Sequence, residues 1–177
     1  RMAGATGGDG IGVTGRRKGL VILVNFQDVK MKSAHDNAEW NDFFNKTGYN
    51  TLGNSGSVHD YFYSQSYGKF DLSFDVVGPV TVSKNMADYG GNDDSGNDKD
   101  PGRMVYEACR LVADKVNFAD YDWDGDGEVD QVFVIYAGYG EASRPALLPN
   151  TIWPHEWTLK AAGYSLTLNK VKINTCV

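Results

Sequence analysis

Two spacings recur among the hydrophobic positions, one of two residues and one of three to four, and they mark strands and helices respectively. Leu20 to Phe26 is an unbroken run of strand formers, the pattern of a strand covered on both faces. Residues 36–44 bring Trp40, Phe43 and Phe44 to one side of a short helix. Ser57 offers an N-cap to Val58, Tyr61, Phe62 and Gln65 at helical spacing, and Gly68 offers a stop. Asp60 stands where a capping box prefers Glu or Gln, so this cap reads as incomplete. Phe70, Leu72, Phe74 and Val76 alternate with Asp71, Ser73 and Asp75, a strand with one dry face and one wet face. Gly78 and Pro79 then turn the chain into a short 80–82 segment. Residues 86–100 read as a polar loop or lid. Asp100 caps and Pro101 opens a helix whose stripe is Met104, Val105, Ala108, Leu111, Val112 and Lys115. Residues 131–137 form a second apolar strand, and 164–168 and 171–173 pair as a hairpin around Asn169 and Lys170. Strand, helix, strand, helix, strand predicts an α/β fold, and the alternation in the 70s predicts a mixed sheet.

Composition adds three constraints. The 177 residues, 41% of them hydrophobic, suffice for one buried core. No apolar run approaches the roughly 18 residues that span a bilayer, so no membrane span is expected. Residues 1–16, rich in Gly, read as a flexible lead-in, which leaves 17–177 as the ordered domain. The net charge of -6 argues against a nucleic-acid partner. Its placement says more, since residues 88–130 carry thirteen acidic side chains against four basic ones. Asp outnumbers Glu by 18 to 5, and Asp favours turns and metal loops over helix interiors, so the charge sits mostly in loops.

The sharpest chemical signal is Asp122-Trp-Asp-Gly-Asp-Gly-Glu-Val-Asp130. Asp122, Asp124, Asp126, Glu128 and Asp130 offer oxygens at alternate positions around glycines, as in the first three quarters of an EF-hand calcium loop. So many like charges repel strongly without a cation; the alternative is a solvated acidic turn. The twelfth-position Glu is replaced by Phe133 and a strand follows in place of a helix, so this is an EF-like loop outside an EF-hand. A register starting at Asp120 overlaps it. His155 and Glu156 lack a second His four residues on, because Leu159 stands there, so a zinc helix is not formed by this pair. Surface or capping roles are expected for His35, His59 and His155. Cys109 lies on an apolar helix face and reads as a buried thiol, with a disulfide to Cys176 left open. No catalytic set is complete within the chain.

Six ordered blocks carry a family resemblance: residues 19–28, 57–71, 76–80, 121–130, 134–142 and 152–155. Together they resemble the immune inhibitor A-like family of secreted bacterial zinc metallopeptidases, over roughly residues 17–157. The resemblance implies a zincin-like N-terminal subdomain, a twisted mixed sheet with backing helices and a calcium-binding loop. It implies a parent endopeptidase acting on proteins or peptides, with catalytic zinc and structural calcium, located outside the cell, at its surface or in the periplasm. Its zinc-binding H-E-x-x-H helix is expected after Val177, in a C-terminal segment of the same protein, so no catalytic residue is assigned and the 177 residues alone are expected to be inactive. The rival expectation is a calcium-dependent, non-catalytic binding module or an inactive fragment.

Overall fold

A computed structural model describes residues 13–143 and 147–177. Residues 1–12, the bulk of the predicted lead-in, lie outside the described residues. Strand β1 spans Gly15–Asn25, so it begins five residues ahead of its apolar run. Arg16 and Lys18 in that opening stretch pair with Asp71 and Asp75 of the next strand at 3.2 and 3.1 Å.

Asp36 caps α1 (Asn37–Asn45) by accepting the Glu39 N–H at 2.9 Å. Helix α2 spans Val58–Gln65 behind Ser57. Its capping box is complete, because the shorter Asp60 side chain still accepts the Ser57 N–H at 3.0 Å while Ser57 Oγ accepts the Asp60 N–H at 3.1 Å. Strand β2 runs without interruption through Phe70–Thr81. The expected turn at Gly78 and Pro79 is a register shift against β1, after which Val80 and Thr81 rejoin the ladder.

The segment expected to be a loop contains helix α3 (Met86–Gly90), with Met86 and Tyr89 buried. One turn with two apolar residues three apart is too short for a periodic signal. Helix α4 spans Pro101–Leu111 and starts with Asp100 accepting the Arg103 N–H. Its buried stripe is Met104, Val105, Ala108 and Cys109, while Leu111 turns out to solvent at 44% exposure. The helix ends there, and Val112, beyond it, is buried as predicted.

Strand β3 (Val132–Tyr136), β4 (Trp157–Thr158), the hairpin β5 (Leu166–Leu168) and β6 (Val171–Ile173), and β7 (Thr175–Cys176) complete the order. The main sheet runs β2-β1-β3-β7-β4, and β5 and β6 form a separate pair. Asn169 and Lys170 both take positive φ, 50° and 70°, as a two-residue hairpin turn requires. The sheet is mixed, but β2 is parallel to β1; only β4 runs antiparallel. The alternation in β2 reflects an edge strand whose outward residues are wet.

β1 is the hub. Leu20, Ile22 and Val24 face α4 and the hairpin side, in the cluster with Met104, Ala108, Val132 and Ile173. Val21 and Leu23 face the other layer, with Phe44, Leu72 and Phe74. All five β1 residues are fully buried, and each contributes about 1.5–3 kcal/mol of hydrophobic stabilisation. The protein is thus a mixed α/β layer with helices on both faces of a mostly parallel sheet.

Candidate metal centre

Phe118 and Tyr121, both buried, anchor a 3₁₀ turn that delivers the chain to the acidic loop. Asp122 then organises the loop through its own backbone. Its Oδ1 accepts the N–H groups of Gly125 (2.8 Å) and Asp126 (3.2 Å), and its Oδ2 accepts that of Gly127 (3.0 Å). These bonds need the chain to double back, which Gly125 and Gly127 permit at φ 77° and 88°.

β6 braces the far side. The Val129 N–H donates to the Lys172 carbonyl and the Lys172 N–H to the Gly127 carbonyl, both at 2.8 Å, while the Val129 side chain is buried. The Asp130 N–H returns to the Tyr121 carbonyl at 3.1 Å, closing the loop at its base.

Of the five residues singled out by spacing, the structure brings three together. Asp122, Asp124 and Asp130 each offer a carboxylate oxygen, all within 4.8 Å of one another. Asp126 accepts the Glu128 N–H at 2.8 Å, and Glu128 forms an ion pair with Lys172 at 2.9 Å. Asp120 is held instead by the Asn117 side-chain amide. Among the described residues no Lys or Arg pairs with the three converging carboxylates. Burial pushes the Asp130 carboxyl above the usual carboxylate range, and Asp124, Asp122 and Asp126 push it further against the Trp123 N–H that it accepts. A hard cation relieves that repulsion, so the donor set suits an oxygen-seeking ion.

The histidines do not converge on a metal. Among the described residues, the three aspartates are the one such group of His, Cys and carboxylate ligands. His35 sits exposed in a 3₁₀ turn, and the His155 ring nitrogen bonds the Trp153 carbonyl. His59 departs from the expected surface or capping role: its Nε2 lies 2.9 Å from Asp71 Oδ1 and ties α2 to β2. Sequence spacing gave no hint of this pairing across twelve residues. Cys109 and Cys176 are both buried free thiols; burial raises the first strongly and the second to about 11.

Beyond the loop, an apolar cavity of about 400 Å³ opens between α4 and the C-terminal end of β3, lined by Met104, Val105, Tyr136, Ile152, Trp153 and Trp157. Such a cavity at the carboxyl end of a parallel strand is where α/β proteins bind ligands.

The fold and site together define an α/β domain carrying a candidate cation loop and an apolar cleft at the strand ends. The chain belongs to the immune inhibitor A peptidase M6 family, whose catalytic-domain profile matches residues 9–175. Its relatives include immune inhibitor A of Bacillus thuringiensis subsp. alesti, 26% identical over 88% of this chain. The pre-pro-metalloprotease PrtV of Vibrio cholerae serotype O1 (strain M66-2) is 31% identical over 58% of it. The chain spans 28% and 13% of the length of these two relatives.

Proposed function

We propose that this chain is the N-terminal part of the catalytic domain of an exported zinc endopeptidase that hydrolyses peptide bonds in proteins and is braced by structural calcium. The observation that carries the reading is the family match, which runs across nearly the whole chain. In this reading residues 17–177 belong to a zincin-like subdomain, whose first strand already starts at Gly15, and the zinc ligands belong to a later segment of the same protein. Catalytic zinc, when bound, supplies a Lewis acid that polarises the scissile carbonyl and acidifies a water. This chain's own contribution is the sheet and the apolar cleft beside it. Millimolar calcium outside the cell fills loops of modest affinity, which supports an extracellular, surface or periplasmic location.

Asp122, Asp124 and Asp130 hold the calcium through carboxylate oxygens, and Asp126 and Glu128 complete the set. Glu128, seventh in the loop, serves through its backbone carbonyl as that position does in EF-hand loops, which leaves its side chain to Lys172.

Casein cleavage by the intact protein tests the peptidase. Cleavage that stops with a zinc chelator and returns with added zinc is expected; a metal-stripped protein that still cleaves, or a zinc-loaded one that never does, overturns the reading. The calcium loop has its own test in thermal melting. Asp124→Ala should lower Tm in calcium and leave it nearly unchanged in chelator, and equal shifts in both conditions reject the site.

A further inference from the structure

A second group of side-chain oxygens lies where the 92–98 ribbon meets the segment that follows β3. Asn92 and Asp98 face each other across an antiparallel bridge, which places both side chains on one side of the ribbon. The Asn92 side-chain N–H donates to Glu141 Oε1 at 3.3 Å, which brings the Glu141 carboxylate into the same spot. Glu141 is 7% exposed, one of the most buried charged groups in the described chain. Asp98 Oδ2 accepts the Trp153 N–H at 2.8 Å.

What remains is an unmatched set of acceptors. Asp98 Oδ1 and Asn92 Oδ1 are both shielded from solvent, and neither receives a hydrogen bond. Among the described residues no Lys or Arg pairs with Asp98 or Glu141. Buried acceptors without donors are costly, and two adjacent carboxylates more so. Burial pushes the Asp98 carboxyl upward and Glu141 adds to it, against the pull of the Trp153 N–H and His155. His155 Nδ1 is engaged with the Trp153 carbonyl, and the unpartnered buried atoms on the ribbon are both oxygens.

We propose that Asp98, Glu141 and Asn92 hold a second hard divalent cation of the calcium class, separate from the 122–130 loop. Two carboxylates and an amide oxygen are calcium's preferred donors, and waters from the adjoining cleft, which Asp98, Glu141 and Trp153 line together, complete the coordination. The ion cross-links the 92–98 ribbon to residues 141–153 and so fixes one wall of the apolar cavity. This site stands without the peptidase reading.

Terbium, a calcium mimic that emits when excited through a nearby tryptophan, separates the two sites. Trp153 adjoins the proposed site and Trp123 the acidic loop. In intact protein carrying Asp124→Ala, terbium emission excited through tryptophan should persist and be displaced by calcium. Adding Asp98→Asn or Glu141→Gln should weaken terbium binding by more than about tenfold. Trp153→Phe should dim the emission with calcium binding retained, a readout that does not depend on removing a ligand. Loss of all emission with Asp124→Ala alone, or emission indifferent to Asp98→Asn and Glu141→Gln, overturns this site and leaves the loop reading standing. Emission abolished by Asp98→Asn but untouched by Asp124→Ala supports this site and counts against the loop.

Discussion

Glu107→Gln should lower the stability of the protein by about 3 kcal/mol at neutral pH, and the loss should shrink as the solution is acidified. Glu107 accepts four hydrogen bonds: from Arg103 Nε at 2.7 Å, from the Ser83 amide and hydroxyl at 2.9 and 3.0 Å, and from the Tyr89 hydroxyl at 3.0 Å. Burial alone would raise this carboxyl. The four donors overcome it and hold the group down at about 2, from an ordinary value of 4.5. A depressed carboxyl stabilises the fold in its ionised form, so its contribution is complete above about pH 4.5 and disappears as the pH falls toward 2. Denaturant titrations of wild type and variant should therefore differ most above pH 5 and converge at lower pH. A difference that stays constant across that range would show that the four bonds do not act through the carboxylate's charge. The network matters to the cleft because it ties α4 to α3 and to the end of β2, where Ser83 follows Thr81.

Gly90→Ala should cost about 3 kcal/mol, or a fall in Tm of about 6–12 °C. A Cβ on Gly90 would stand 2.6 Å from the Ile152 nitrogen and 2.6 Å from the Thr151 carbonyl carbon, both backbone atoms with no rotamer through which to yield. Ile152 lines the apolar cavity, so accommodating the methyl displaces its wall. Gly96→Ala is the comparison: its Cβ meets nothing within 4 Å but must adopt a φ of +80°, a strain of about 1 kcal/mol. Equal melting temperatures for the two variants would remove the contact with residues 151 and 152 as the cause.

Local rules carried much of the fold. The apolar run of β1 foretold a strand buried on both faces, and Ser57 and Asp100 cap the helices predicted from them, while Asp36, read as the first residue of its helix, is that helix's cap. Failures cluster where one element's environment is set by another. β4 and β7 are two residues each and are defined by their pairing, β7 with β3 and β4 with β7, so no periodicity could announce them. α3 is anchored by burial of Met86 and Tyr89 and by the Tyr89 hydroxyl donating to Glu107, a partner eighteen residues away. The acidic loop was conspicuous because its residues are consecutive, whereas Asn92, Asp98 and Glu141 are scattered over fifty positions and carry no local motif.

By itself the amino-acid order determined the α/β class, the principal strands and helices, and the presence of a crowded acidic loop, because each depends on neighbours within a few residues. Tertiary structure alone decided that β2 lies parallel to β1, that three of the five acidic loop residues converge while Glu128 turns to Lys172, and that two shielded side-chain oxygens on the 92–98 ribbon, one of them on Asp98 beside Trp153, are left without a donor. Those outcomes depend on which distant surfaces are pressed together, and burial then fixes which polar atoms find a partner and which do not.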